Sequence, residues 1–198
     1  MRLLLFSGFL GSGKTTLVLR VVKHAIEKGL KAAILVNEIG EIGIDNQLMR
    51  QLDMNVWELV NGCICCTLSA DLVDTLQQLD AEYSPDLVVI EPSGAADPKS
   101  ILAALPYYKG TPFESMTTVS VLDPLRIDML LEVMTPLVTS QIQHADIVLI
   151  SKCDQSAPTQ IQQAYQAAEK YNPSAKVLEF QMDTPLETLL KEAASWMI

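Results

Sequence analysis

Short runs of consecutive apolar residues recur along the chain at 3–6, 32–36, 87–90, 118–122 and 147–150, each rich in branched side chains. Runs this short, with no polar alternation, read as strands buried on both faces. Between them apolar positions fall at i, i+3, i+4 spacing. Leu17, Val18, Val21, Val22, Ala25 and Ile26 are the clearest case, with Gly29 as the expected stop. Strand runs alternating with helical ones predict a three-layer α/β/α sandwich around a mostly parallel sheet. Val177 and Leu178 are expected to add a last edge strand, and residues 185–198 to form a C-terminal helix packed on the domain or extending from it. The expected organisation is one domain over 1–184 followed by that helix, without a separate C-terminal domain. Strand order cannot be read from the pattern.

Composition narrows the function classes. The 198 residues are 49% hydrophobic and 19% charged, enough apolar surface for a large core and too much for a disordered chain. The formal net charge is −10 and no basic cluster offsets it, which argues against nucleic-acid or anionic-membrane partners. The opening apolar run ends at Ser7-Gly8, too early for a signal peptide. No apolar stretch approaches the roughly 18 residues of a membrane span. A cytoplasmic location is expected, so the four cysteines point to metal or redox chemistry rather than structural disulfides.

The strongest signal is Gly8-Phe9-Leu10-Gly11-Ser12-Gly13-Lys14-Thr15, which fits the G-x-x-x-x-G-K-[ST] pattern between an expected strand and an expected helix. Glycines let the backbone curl so that successive N–H groups face a phosphate. Lys14 is placed to reach the β- and γ-phosphates and the Thr15 hydroxyl to ligate Mg²⁺; Thr16 joins the nucleotide-binding set. The fold expectation sharpens to a P-loop nucleoside triphosphatase.

Two more strand ends carry chemistry. Glu91 closes the 87–90 run at the edge where ligands gather in parallel sheets, positioned to hold Mg²⁺ directly or through a water, or to orient the attacking water. Pro92-Ser93-Gly94 after it is expected to turn sharply. Ser151-Lys152-Cys153-Asp154 follows the 147–150 run and resembles the Asn-Lys-x-Asp loop that reads guanine. There the Asp154 carboxylate would accept from the base edge and the Lys152 stem would pack on the ring, while adenine offers the wrong donors. Ser151 stands where Asn is usual, so the internal hydrogen bonds of this loop must differ. Cys153 reads as packing, and His24 and His144 as ordinary surface or core histidines.

Gly62-Cys63-Ile64-Cys65-Cys66-Thr67 places three thiols within four residues. In a loop, Cys63, Cys65 and Cys66 can converge on one soft or borderline cation and leave a fourth position open, which suits a metal that is sensed or handed on. Glu38 and Glu41 are candidate additional ligands. Buried small hydrophobes or a redox pair are the alternatives.

Taken together, residues 8–16, 36–45, 62–67, 91–94 and 151–154 resemble, in order and spacing, the CobW-type metal-chaperone GTPases, relatives of the nickel-insertion GTPases of hydrogenase and urease. The resemblance implies a SIMIBI-like GTPase domain that binds GTP and GDP with Mg²⁺ and couples hydrolysis to Zn²⁺, Co²⁺ or a cobalt corrinoid. It also implies a switch over residues 37–45, with Glu38 near the Mg²⁺ site beside Lys14 and Glu91 in the catalytic set, and a client metalloprotein or corrinoid protein as partner. A histidine-rich tract, common in the group, is absent from a chain with two histidines.

The expected mechanism is a switch. GTP–Mg²⁺ at Lys14 and Thr15 orders the 37–45 loop, and metal at the cysteines is coupled to nucleotide state. Intrinsic hydrolysis should be slow, since no arginine finger is evident. A symmetric homodimer joining two switch faces is compatible with this. The rivals are a P-loop kinase for a small metabolite, which needs a cationic lid that four scattered arginines do not supply, and a nucleotide-gated binding module with a structural metal.

Overall fold

The computed structural model describes residues 1–36, 55–58, 68–181, 184–187 and 189. Among these residues seven strands form one sheet: β1 (Arg2–Ser7), β2 (Ala32–Val36), β3 (Asn55–Glu58), β4 (Leu87–Glu91), β5 (Ser115–Leu122), β6 (Ile147–Ser151) and β7 (Lys176–Phe180). Their order is β3-β2-β4-β1-β5-β6-β7 and every pairing is parallel. All strands therefore deliver their C-terminal ends to the same edge. The central strand β1 lies between β4 and β5, with Leu3 opposite Val88 on one side and Met116 on the other.

Among the described residues six α-helices accompany the strands: α1 (Lys14–Glu27), α2 (Leu68–Tyr83), α3 (Pro98–Ala104), α4 (Ile127–Val133), α5 (Thr135–Gln143) and α6 (Pro158–Tyr171). Alternation along β1 shows why both faces must be covered. Leu4 and Phe6 join Leu17, Val21 and Val22 of α1 in one core. Leu3 and Leu5 point the other way, into a core with Leu72, Leu76 and Leu79 of α2 and Ile101 of α3. On that second face, but over β6, Val148 and Ile150 pack with residues of α4, α5 and α6. These are the three layers that the unbroken apolar strands predicted.

Helix α1 ends as expected. Gly29 takes φ +82°, its N–H bonds the Ile26 carbonyl, and the Leu30 N–H reaches back to Ala25 at 3.0 Å. Strand β3 was not legible in the sequence, and β7 is longer than the two residues that suggested it. Of residues 185–198, expected to form a C-terminal helix, 185–187 and 189 are described, and Leu186 and Leu189 are buried in the α1-side core. No helix among the described residues is long and apolar enough to cross a membrane.

Candidate functional site

The β1–α1 loop has the backbone of a phosphate cradle. Gly8, Gly11 and Gly13 all adopt positive φ (+134°, +80° and +95°), conformations that residues with a Cβ adopt only at a cost. A Cβ on Gly8 would lie 2.4 Å from the Val121 carbonyl oxygen, so the loop leaves the sheet in direct contact with β5. Helix α1 starts at Lys14 with Gly13 as a left-handed N-cap that offers no side-chain cap, so its first N–H groups and the positive end of its dipole face the loop interior. Ser12 N–H closes a turn onto the Phe9 carbonyl at 3.1 Å.

Lys14 is largely buried and its Nζ donates to the Phe9 carbonyl at 3.2 Å, which holds the ammonium across the loop. Thr15 Oγ1 donates to Glu91 Oε1 at 2.6 Å, joining the first turn of α1 to the end of β4. A hydroxyl and a buried carboxylate in this contact form the oxygen donor set that a hard cation prefers. Beyond Glu91 the turn closes from the Ser93 carbonyl to Ala96 N–H, slightly later than the sequence suggested. Gly94 packs on the phosphate loop so closely that a Cβ would meet Leu10 N at 2.5 Å.

The loop after β6 completes the site. Lys152 sits in the left-handed region (φ +53°), and a short 3-10 turn over Cys153–Gln155 presents Asp154 as an exposed carboxylate. Ser151, in place of the usual Asn, donates its buried hydroxyl to the Leu122 carbonyl at 3.0 Å, and Ser156 Oγ donates to the Lys152 carbonyl at 2.8 Å. Those are the altered internal bonds the substitution demanded. Cys153 is buried with its Sγ toward the Ile150 carbonyl, and burial pushes its thiol pKa up to about 11, so it packs as expected.

Gly11, Ser12, Gly13, Lys14, Thr15, Thr16, Glu91, Lys152 and Asp154 all line one cavity of about 380 Å³ at the C-terminal sheet edge. Gly8 is not part of that lining and lies against the Val121 carbonyl instead. The residues of three separate motifs thus converge, and the volume falls in the range of small-molecule sites. Glu38, Glu41, Cys63, Cys65 and Cys66 lie outside the described residues. Among the described residues no cluster of His, Cys, Asp and Glu could hold a metal ion.

Two site residues escaped the sequence reading. Asp123, directly after β5, is buried and accepts from Lys152 Nζ at 2.6 Å. Arg126, one of the four scattered arginines, donates from Nη1 to the Leu10 carbonyl at 2.7 Å and so braces the tip of the phosphate loop. The signal for Asp123 was the one used for Glu91, an acid closing an apolar strand at the ligand edge.

The chain is 35% identical over 156 residues to the zinc chaperone YeiR of Escherichia coli, covering 78% of this chain and 47% of YeiR. It spans about half the length of the curated relatives it matches, or less. The crystal structure of Zn(II)-bound YjiA GTPase from E. coli superposes with a TM-score of 0.64 at 22% identity, over 93% of this chain and 58% of that one. The hydrogenase maturation factor HypB from Archaeoglobus fulgidus gives 0.66 at 17% identity, over 96% and 87%. At these identities the superpositions establish the P-loop GTPase fold. The model of the family described as CobW/HypB/UreG, nucleotide-binding domain, matches residues 2–179. With strands β1 to β6 and the cavity-lining loops after β1, β4 and β6 inside that match, the chain belongs to the CobW/HypB/UreG nucleotide-binding domain family.

Proposed function

We propose that this domain binds and slowly hydrolyses GTP with Mg²⁺, and couples its nucleotide state to binding and transfer of zinc to a client metalloprotein. The observation that carries the reading is the convergence of the phosphate loop, the Thr15–Glu91 pair and the Lys152–Asp154 loop on one cavity. The glycine-built loop and Lys14 take the β- and γ-phosphates. Thr15 and Glu91 would hold Mg²⁺, which supplies neutralisation of charge on the phosphates when bound. Asp154 accepts from the guanine edge, and the Lys152 stem lies along the ring.

Zinc is favoured over cobalt or a corrinoid as cargo because the curated relative YeiR is a zinc chaperone and YjiA was crystallised with Zn(II). Cys63, Cys65 and Cys66 are the proposed thiolate ligands, and Glu38, in the proposed switch over residues 37–45, is a candidate additional ligand. Nucleotide and metal then alter each other's affinity by the same factor. A homodimer across the switch faces would close the reaction centre.

The test is zinc affinity with GDP and with a non-hydrolysable GTP analogue, in the parent and in a protein with Cys63, Cys65 and Cys66 changed to Ser. Different affinities in the parent, and loss of zinc but not of GDP in the variant, support the reading. Equal affinities in the two nucleotide states remove the coupling.

A further inference from the structure

We infer that Asp123 is a positioning residue for base recognition, acting through Lys152; this rests on the reading of the 151–154 loop as the guanine site. Lys152 adopts φ +53° and ψ +32°, a backbone conformation that disfavours any residue with a Cβ, so something must hold it there. Three contacts do. Ser151 Oγ ties the residue before it to the Leu122 carbonyl, Ser156 Oγ ties its own carbonyl from behind, and its ammonium reaches Asp123 Oδ2 at 2.6 Å. Two of those anchors, Leu122 and Asp123, are the last residue of β5 and its successor. The end of β5 is therefore the template on which the base loop is shaped.

Asp123 is built for that task. Its side chain is 3% exposed, against 30% for Lys152. Its Oδ1 accepts from the Leu125 N–H at 3.0 Å and its carbonyl from the Arg126 N–H, so the carboxylate is held by its own turn before it meets the lysine. A buried carboxylate gains most from a charged donor, and the pairing fixes both partners. With its backbone fixed at one end and its ammonium pinned at the other, the four-carbon stem of Lys152 is held along the cavity wall it lines, an apolar edge for a purine ring. The pairing also keeps this ammonium away from the phosphates, which leaves Lys14 to serve them. Asp154 can select the base edge only if the ring is held at a fixed depth, and the pinned stem sets that depth.

The experiment measures GDP, ADP and inorganic pyrophosphate affinity by calorimetry on the full chain, with thermal melting alongside. The proteins compared are the parent, Asp123→Asn, Lys152→Met and the double variant. Asparagine keeps an acceptor for Leu125 and removes the charge. Asp123→Asn is expected to weaken GDP about tenfold, the scale of a lost hydrogen bond to a charged group, with pyrophosphate affinity unchanged and the melting temperature lowered, since a buried pair loses its charge. In the Lys152→Met background it is expected to change GDP affinity no further. Asp123→Ser, which keeps a turn acceptor, should repeat the pattern and serves where the asparagine variant does not fold. GDP affinity equal to the parent overturns the inference. So does an equal loss of GDP and pyrophosphate affinity, or a further loss in the Lys152→Met background. The parent's preference for GDP over ADP reads the guanine assignment by itself. A parent indifferent to the base overturns that assignment and this inference with it, whereas a selective parent with an indifferent Asp123→Asn overturns this inference alone.

Discussion

Adding one methyl group at Gly8 separates two costs that are usually mixed. In Gly8→Ala the new Cβ would lie 2.4 Å from the Val121 carbonyl oxygen, where ordinary contact begins near 3.4 Å. The obstacle is backbone, not the end of a flexible side chain, so about 1 Å must open between the start of the loop and β5. That opening strains the β1–β5 ladder, whose last pair is Ser7 with Ser120. The φ of +134° adds backbone strain of about 1–3 kcal/mol. Together the expected loss is about 3 kcal/mol, which for a chain of this size lowers Tm by about 6–12 °C. Gly29→Ala is the control. Its φ is +82°, but no atom lies within 4 Å of the added Cβ and the site is remote, so only the left-handed strain of about 1 kcal/mol applies. Thermal melting and GDP titration on both variants decide the matter. The expected result is a large Tm drop and at least a tenfold loss of GDP affinity for Gly8→Ala, since its displaced N–H groups no longer point at phosphate, set against a small Tm drop and parental affinity for Gly29→Ala. If Gly8→Ala melts with Gly29→Ala and binds GDP like the parent, the close approach to β5 does not shape the cradle.

Other expectations are simpler. Asn172 is buried, and its Nδ2 donates to the carbonyls of Ile142 and Ala145 at 2.9 and 2.8 Å, closing the end of α5. Asn172→Ala should cost about 2 kcal/mol, or about 4–8 °C in Tm, with GDP affinity unchanged. In a protein with Cys63, Cys65 and Cys66 changed to Ser, the remaining thiol of Cys153 should resist a thiol reagent at pH 8 until the protein is denatured. Because burial raises its pKa from 9.0 to about 11, the neutral thiol favours the fold below pH 9, and that contribution is lost as the pH rises from about 9 to 11. Rapid labelling of native protein at pH 8, or a stability profile flat across that alkaline window, would contradict it.

What the sequence revealed and what it hid follow a physical line. The phosphate loop was legible because its function lies in local backbone chemistry: three glycines at positive φ, a lysine and a threonine within one turn. The buried strands were legible because both faces are covered, so nothing interrupts their apolar runs. Strand β3 was not. Its four residues, Asn-Val-Trp-Glu, are half polar, as an edge position allows. Asp123 was hidden for a different reason. Its partner Lys152 is 29 residues away, directly after the neighbouring strand, and only the pairing of β5 with β6 brings them together. Helix α5 shows the same limit: Ser140 and Gln141 bond Asp97 and the Gly94 carbonyl, contacts between segments over 40 residues apart. The three cysteines were the most distinctive feature of the sequence, and they lie outside the described residues.

The proposed function requires that the curled backbone ahead of α1 grip polyphosphate with the help of one ammonium. Calorimetric titration of GTP with Mg²⁺ into the parent and into Lys14→Ala tests it most directly. The expected result is tight, stoichiometric binding by the parent and at least a hundredfold loss in the variant, the scale of removing a charged contact to phosphate in a buried site. Equal affinity in the two proteins would contradict it.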